Sequence, residues 1–595
     1  MSEATISWLS GPVLRAHTSG RFHVSDEILV GANRLLGEVI RVDTGGIVAQ
    51  VYEDTTGLKP GDPICGTGAE LSVRLGPGLL GRIFDGVQRP LDEISRLHGD
   101  TIPRGISVTS LDREAVWHFT PRPGLTVGEQ LSEGFSLGEV PETESIVHHI
   151  LVPPGINGKL VELAPAGEYR VEDTIAVLHG AEGREHRLQL FHRWPVRVPR
   201  PHVRRIHTAE PLLSGQRIID LFFPVLKGGK AAIPGPFGAG KTILQHQIAR
   251  WSNADIVIYV GCGERGNELV DILNSFPALK DPYSGRSLME RTLLVANTSN
   301  MPVVAREASI YVGVTLAEYY RDQGYHVVMV ADSTSRWAEA LREVGGRLGE
   351  MPVEEGYPAY LASRLAAFYE RAGKVETFSG RRGSVTLIGA VSPPGGDFSE
   401  PVTSHTKEIV RAFWALSKEL ADARHYPAIA WSDSFSGYID DVATWWDEHV
   451  STKWAEYRAD ALELLAQADE LDRIVNLVGP EALSAQQRWI LEMARLIREG
   501  LLQQNAIDDI DSYASAAKQF QLLKLMHDTW KQGESLLSSG VPVQVLLEIP
   551  ELTRVVRARS LFGNDEVDAI RELGIAVKTA FRAIHGEYQQ VEKLG

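Results

Sequence analysis

Eight consecutive residues carry the strongest chemical signal in the sequence: Gly235, Pro236, Phe237, Gly238, Ala239, Gly240, Lys241 and Thr242. They fit the spacing G-x-x-x-x-G-K-[ST], with a strand-like AAI before them and a helix-like TILQHQIARW after. Glycines let the backbone curl so that successive N–H groups face inward, toward phosphate oxygens. The helix that follows adds the positive end of its dipole. Lys241 is then set to neutralise β- and γ-phosphate oxygens, and Thr242 to offer its hydroxyl to Mg²⁺. From average residue usage, chance matches in a chain this long number on the order of 10⁻², so the segment reads as a nucleotide-binding loop.

Triphosphate chemistry also needs carboxylates, one to help hold the metal and one to orient water. YHVVMVAD sets Asp332 just past an apolar strand, at the carboxyl edge of a parallel sheet where such a metal-holding acid belongs. Taken alone, an aspartate ending a strand is as often a helix cap. YVGCGERGNE runs an apolar strand into a turn carrying Glu264, Arg265 and Glu268. Glu264 is placed to polarise an attacking water, and Arg265 to offer charge to the transferring group. The competing reading is a solvated loop with an internal ion pair. Cys262 in the same turn reads as a small buried filler. His148, His149 and His425 lack metal-ligand spacing and read as structural.

These residues need a scaffold. A chain of 595 residues is too long for a single core and implies three to four domains. Residues 1–72 hold short β-rich runs such as GEVIRV and GIVAQVYE, and a small β-barrel is their natural closure. Evenly spaced glycines and short strands over 113–187 read as a compact all-β insertion. The segments KAAIPG, DIVIYVG, TLLVANT and YHVVMVAD alternate with helical stretches, the pattern of a parallel α/β sheet. With the passage 73–112, that sheet is expected over 188–437. Strand signals fade after 438, and 438–595 reads as a helical domain. There Ser484 and Gln487 have capping-box spacing, and Ile490, Met493, Ile497 and Leu501 share a helical face.

Composition narrows the class. The net charge of −17 makes nucleic acid and bare membrane poor partners. Two cysteines give no disulfide framework, which suits a reducing compartment. No export signal is visible at the N-terminus, and no apolar run is long enough to cross a bilayer.

At these motifs the sequence resembles a known family. GPFGAGKT, GCGERGNE and ADSTSRWAEALRE, in this order, are similar to the catalytic A subunit of vacuolar/archaeal-type rotary ATPases. So are LGPGLLGRIFDGVQRPL, GRLGEMPVEEGYPAYLASRL, SPPGGDFSEPVT and YPAIAWSDSFSGY, and the resemblance spans nearly the whole chain. The 113–187 insertion resembles the "bulge" of that family, which the F-type beta subunit lacks. The non-catalytic B subunit would lack the intact phosphate loop and the glutamate of GER.

The resemblance implies a P-loop core of the RecA-like kind, with ATP or ADP and Mg²⁺ bound. Residues Gly235 to Thr242 would wrap the triphosphate, with Lys241 on the β/γ oxygens and Thr242 on Mg²⁺. Glu264 would position the lytic water, Arg265 contact phosphate, Asp332 hold the metal through water, and Glu268 support the same hydration shell. Tyr426 falls where the family stacks an aromatic on adenine. Ile507 stands where the family often has a second ring, Ala430 where it has a polar residue, and Ala239 where eukaryotic relatives have a cysteine. The implied setting is a ring of three A and three B subunits around a central rotor stalk, with a peripheral stalk and a membrane rotor sector that moves H⁺ or Na⁺. The head would be cytoplasmic and peripheral to the membrane. Two other classes share the core. A ring translocase on nucleic acid would carry a basic, aromatic strand-binding module, and residues 1–72 show no obvious one. A ring member without turnover would lack Glu264.

Overall fold

The computed structural model describes residues 2–99, 101–479 and 482–592. They fall into two compact units. One comprises Met1–His207, Lys227–Ala232 and Ala254–Val410; the other comprises Thr208–Leu226, Ile233–Asn253 and Arg411–Gly595.

The first unit opens with a closed barrel of six strands: β1 (Glu3–Ser10), β2 (Val13–Thr18), β3 (Asp26–Val30), β4 (Leu35–Asp43), β5 (Gly46–Val51) and β6 (Pro63–Glu70), in the order β1-β2-β5-β4-β3-β6. Alternate residues such as Ile6, Leu14, Ile28, Val39 and Ala49 point inward and form its core. Closure leaves no unpaired edge.

A second β region follows, made of two four-stranded sheets. One runs Gln130–Leu131, Gly158–Leu163, Thr174–His179, Glu185–Gln189; the other runs Val147–Leu151, Ser136–Pro141, Val116–Pro121, Gly167–Arg170. Phe119, Leu137, Leu160 and Leu178 lie in the apolar core of this region. His148 is buried, its Nδ1 2.7 Å from Glu142 Oε2 and its Nε2 2.6 Å from the Tyr319 hydroxyl. Glu142 also accepts the backbone N–H groups of Gly78, Leu79 and Leu80, so this carboxylate ties the insertion to the loop before the main sheet.

The main sheet of this unit is parallel at its centre. Its order is Arg382–Val391, His326–Asp332, Ile256–Glu264, Thr292–Thr298, Ile83–Phe84, each strand parallel to its neighbour. The expected parallel sheet is thus present, and Gly373–Glu376 extends it antiparallel to Arg382–Val391 and itself pairs with Arg204–Arg205. Helix Val303–Asp322 covers the sheet and is buried along nearly all its length. Its acids Glu307, Glu318 and Asp322 tolerate this because Arg197, Arg371 and Arg200 pair with them at 2.8, 2.5 and 2.7 Å.

The second unit holds helix Lys241–Trp251, the short antiparallel strands Ala412–Phe413 and Phe435–Ser436, and a helical region. The long helices of that region are Trp454–Val478, Ala485–Ile497, Ala516–Ser538, Pro550–Leu561 and Val567–Glu592. Ser484 and Gln487 form a reciprocal capping box. Met493, Ile497 and Leu501 are buried while Ile490 is only half-buried, because Trp489 takes the larger share of the core on that turn. Gly533 is required opposite it, since a Cβ there would lie 2.0 Å from the Trp489 ring. Among the described residues no helix is long and apolar enough to cross a membrane.

Candidate functional site

In the second unit the chain leaves its strand at Pro234 and enters the glycine-rich loop. Gly235 has no room for a side chain: a Cβ would sit 2.6 Å from Leu416 Cβ. Gly238 and Gly240 take φ of 82° and 87°, the left-handed region that favours glycine. A Cβ at Gly238 would meet nothing within 4 Å, so the space over the loop is open. Pro236 is half-buried, Phe237 exposed and Ala239 buried. Gly240 caps helix Lys241–Trp251, whose first N–H groups have no earlier turn to bond. The Lys241 ammonium donates to the carbonyls of Gly235 at 2.6 Å and Pro236 at 3.3 Å, where a phosphate oxygen would compete for it. Thr242 is half-buried on the same first turn.

Beside the loop is an open cleft of about 1100 Å³. Gly240, Ile243, Leu244, Tyr426, Pro427 and Ile507 are among its lining residues. The Tyr426 ring packs on the loop, with its edge 3.3 Å from where a Gly240 Cβ would stand. Tyr426 is 40% exposed and Ile507 92% exposed, so both offer apolar surface to a guest. The segment carrying Ile507 is pinned from below. Buried Arg217 donates to the carbonyls of Leu501 and Gln503 and to Asp511 Oδ1, at 2.7, 2.6 and 2.7 Å. The Gln504 amide accepts from Arg217 N and donates to Gly215 O, and its backbone N–H donates to Tyr426 O at 2.7 Å. A flat apolar slot joined to an anion-binding loop suits a nucleoside phosphate. Ala430 is buried and is not among the cleft's lining residues.

In the first unit, strand Ile256–Glu264 ends in the acidic turn. The ladder with Thr292–Thr298 slips between Cys262 and Glu264, where Gly263 takes φ of 71°. Such a bulge inserts one residue and breaks the alternation of faces. Without it Glu264 would share the face of Cys262, which is fully buried. With it, Glu264 meets Asp332 and Glu268: the two acids act on its carboxyl, and Glu268 hydrogen-bonds to it. Burial first, then the charges of Asp332 and Glu268, hold Glu264 well above the usual carboxylate range, while Arg336 opposes them. Asp332 is buried and accepts a hydrogen bond from the Tyr259 hydroxyl at 3.1 Å. Arg265 is exposed and occupies the N-cap of helix Gly266–Ala278.

Such a carboxyl, poised between protonation states near neutral pH, is suited to accept a proton from water and to return it. Among the described residues, no three His, Cys, Asp or Glu side chains are arranged to hold a metal ion by themselves. One or two carboxylates joined by water and substrate phosphate suit Mg²⁺, which keeps part of its hydration shell. Cys262 is inert here, burial having pushed its thiol up to about 12.

The loop residues, Tyr426 and Ile507 thus come together in one unit, and Glu264, Glu268 and Asp332 in the other. Sequence reasoning missed Tyr259, Arg336 and Arg217. Tyr259 is hidden inside an apolar run, and Arg217 acts through partners almost three hundred residues away.

Four family models match in chain order. They are the beta-barrel domain of the ATP synthase alpha/beta family at 6–68, the barrel-sandwich domain of ATP synthase alpha/beta subunits over 108–197, the nucleotide-binding domain of the ATP synthase alpha/beta family at 215–436, and the C-terminal domain of V and A type ATP synthase at 443–536. The V-type ATP synthase alpha chain of Nitrosococcus oceani is 62% identical over 98% of this chain and 99% of its own. The A subunit of the A-type ATP synthase of Methanopyrus kandleri is 54% identical over 97% of each chain. That of Saccharolobus solfataricus is 50% identical over 99% of this chain and 100% of its own. Among solved structures, the assembled ATPase EscN from the enteropathogenic E. coli type III secretion system aligns with a TM-score of 0.62. It covers 88% of this chain and 100% of its own at 22% identity, a likeness of fold alone.

Proposed function

Because the chain belongs to the family of catalytic A subunits of V/A-type rotary ATP synthases, we propose that its phosphate loop, base cleft and acidic turn serve one ATP-turnover reaction. Gly235 through Thr242 wrap the triphosphate, and Lys241 neutralises its β/γ oxygens. Tyr426 stacks on the base, with Ile507 as an apolar second wall. Glu264 orients the attacking water and takes its proton in hydrolysis; in synthesis it returns the proton to the leaving water. Arg265 contacts phosphate. Thr242 and Asp332 are the residues that hold Mg²⁺, with Glu268 in its hydration shell; the ion supplies charge neutralisation on the phosphates. What supports the catalytic role over a purely structural one is the Gly263 bulge, which turns Glu264 onto the face of Asp332.

The chain is one component of an ion-translocating ATP synthase complex. In the proposed assembly it alternates with a non-catalytic B subunit in a ring of three and three, contacts a central rotor stalk and a peripheral stalk, and drives a membrane sector indirectly. The ring is a cytoplasmic head bound to the membrane only through these partners. The proposed division of the chain is 1–72 barrel, 73–112 with 188–437 nucleotide-binding domain, 113–187 bulge and 438–595 helical domain.

Charge on the transferring phosphoryl group is commonly met by an arginine from a neighbouring chain of the ring, worth about 10³–10⁵ in rate. Arg265 shares the turn of Glu264 and belongs to the same chain, so it is not that switch. At equal concentration and matched Mg²⁺, steady-state hydrolysis should therefore rise several hundredfold or more, on the scale of about 10³, once the chain has assembled with the B subunit. Equal turnover by the chain alone, shown to be neither self-assembled nor mixed with its ring partner, would remove the trans-arginine from the account.

A further inference from the structure

We propose that Tyr259 is a positioning residue of this site, its hydroxyl fixing the orientation of the metal-holding carboxylate Asp332. The inference rests on the metal role of Asp332 proposed above.

The strand register brings the two together. Tyr259 lies opposite Val330 and Gly261 opposite Asp332 on the adjacent parallel strand. Residues two apart on a strand share a face, so Tyr259, Gly261 and Asp332 face the same way. Gly261 has no side chain, and the tyrosine ring reaches past it to bring its hydroxyl 3.1 Å from Asp332 Oδ2. The ring also packs edge-on with Phe276, centroids 6.1 Å apart and planes at 76°. Tyr259 and Asp332 are only 1% and 3% exposed, so water does not compete freely for this bond. A phenol keeps its proton at neutral pH, so the hydroxyl is a donor to the carboxylate.

The chemistry explains why a neutral donor suits this position. Asp332 shares its surroundings with Glu264 and Glu268. A buried carboxylate among acids either turns away, takes a proton or is held by a donor. A lysine or arginine would hold it but cancel the charge a cation needs. A phenol holds it and leaves the charge in place, as outer-shell donors do for other metal-bound carboxylates.

The test compares Tyr259→Phe and Asp332→Asn with the parent in the full-length chain. ADP binding is measured by calorimetry in chelator and across a Mg²⁺ titration, with the spectrum of Mn²⁺ bound beside ADP as a second readout. Phenylalanine keeps the ring against Phe276. The expected result for Tyr259→Phe is metal-free ADP affinity within about twofold and a Mg²⁺ half-saturation raised about tenfold, the low end of outer-shell effects. The Mn²⁺ lines should broaden as its ligand geometry becomes heterogeneous. A merely structural tyrosine would leave the Mg²⁺ dependence alone. If Asp332→Asn raises the half-saturation and Tyr259→Phe leaves it unchanged, or weakens metal-free binding equally, Tyr259 is not a positioning residue. If Asp332→Asn itself has no effect, the metal role of Asp332 falls and this inference falls with it.

Discussion

At Gly263 one backbone angle decides which side chain meets which. Its φ of 71° and the 2.6 Å a Cβ would leave to Arg306 Nε make alanine there doubly unfavourable. Gly263→Ala should lower stability by more than about 1 kcal/mol. It should also slow turnover by about 10²-fold, since a displacement near 1 Å at a reacting group has that effect. Matched thermal melting and steady-state assays check both; a variant that melts earlier at full turnover would detach the bulge from the chemistry. On the base side, Tyr426 is the one aromatic ring lining the cleft among the described residues, because position 507 is isoleucine. Tyr426→Ala should weaken ATP binding by about 1–3 kcal/mol, the scale of base–aromatic stacking, read by titration. An unchanged affinity would move the base elsewhere.

Among the elements, strand Val147–Leu151 of the insertion carries a pH dependence of its own. His149 accepts a hydrogen bond from Arg381 at 2.5 Å and stacks on Tyr325. Burial first, then the Arg381 charge, push its imidazole down to about 4. The unfolded chain takes up that proton near pH 6.5 and the folded one only near 4. The contribution of neutral His149 is thus fully present above pH 6.5 and is lost as pH falls toward 4. His149→Gln keeps an acceptor for Arg381 without the titration. It should flatten the loss of melting temperature between pH 6.5 and 4.5; an unaltered pH profile would contradict the assignment.

The same elements show what a sequence discloses. GEVIRV and GIVAQV lie within barrel strands because alternation and turn glycines are local signals. The phosphate loop is equally local, its residue types being set by its own backbone. The passage after residue 70 shows no strand signal, yet Ser72–Leu75 pairs with His192–Pro195 and Ile83–Phe84 with Thr292–Thr298. Strands of two to four residues carry no periodicity, and their partners lie one to two hundred residues away. The Tyr259–Asp332 bond is hidden for a like reason: it is set by strand register, and a tyrosine in an apolar run announces only burial.

For the whole molecule, one proposal underlies the others: this chain turns over ATP through Glu264. The phosphate loop and the base cleft lie in one compact unit and the acidic turn in the other. Glu264→Gln keeps the side chain's shape and removes its proton chemistry. Measured in the assembled head, nucleotide affinity should stay within about tenfold of the parent while steady-state hydrolysis falls by about 10²–10⁴, the usual scale for a general base. Near-parental hydrolysis by Glu264→Gln in that assembly would contradict the account.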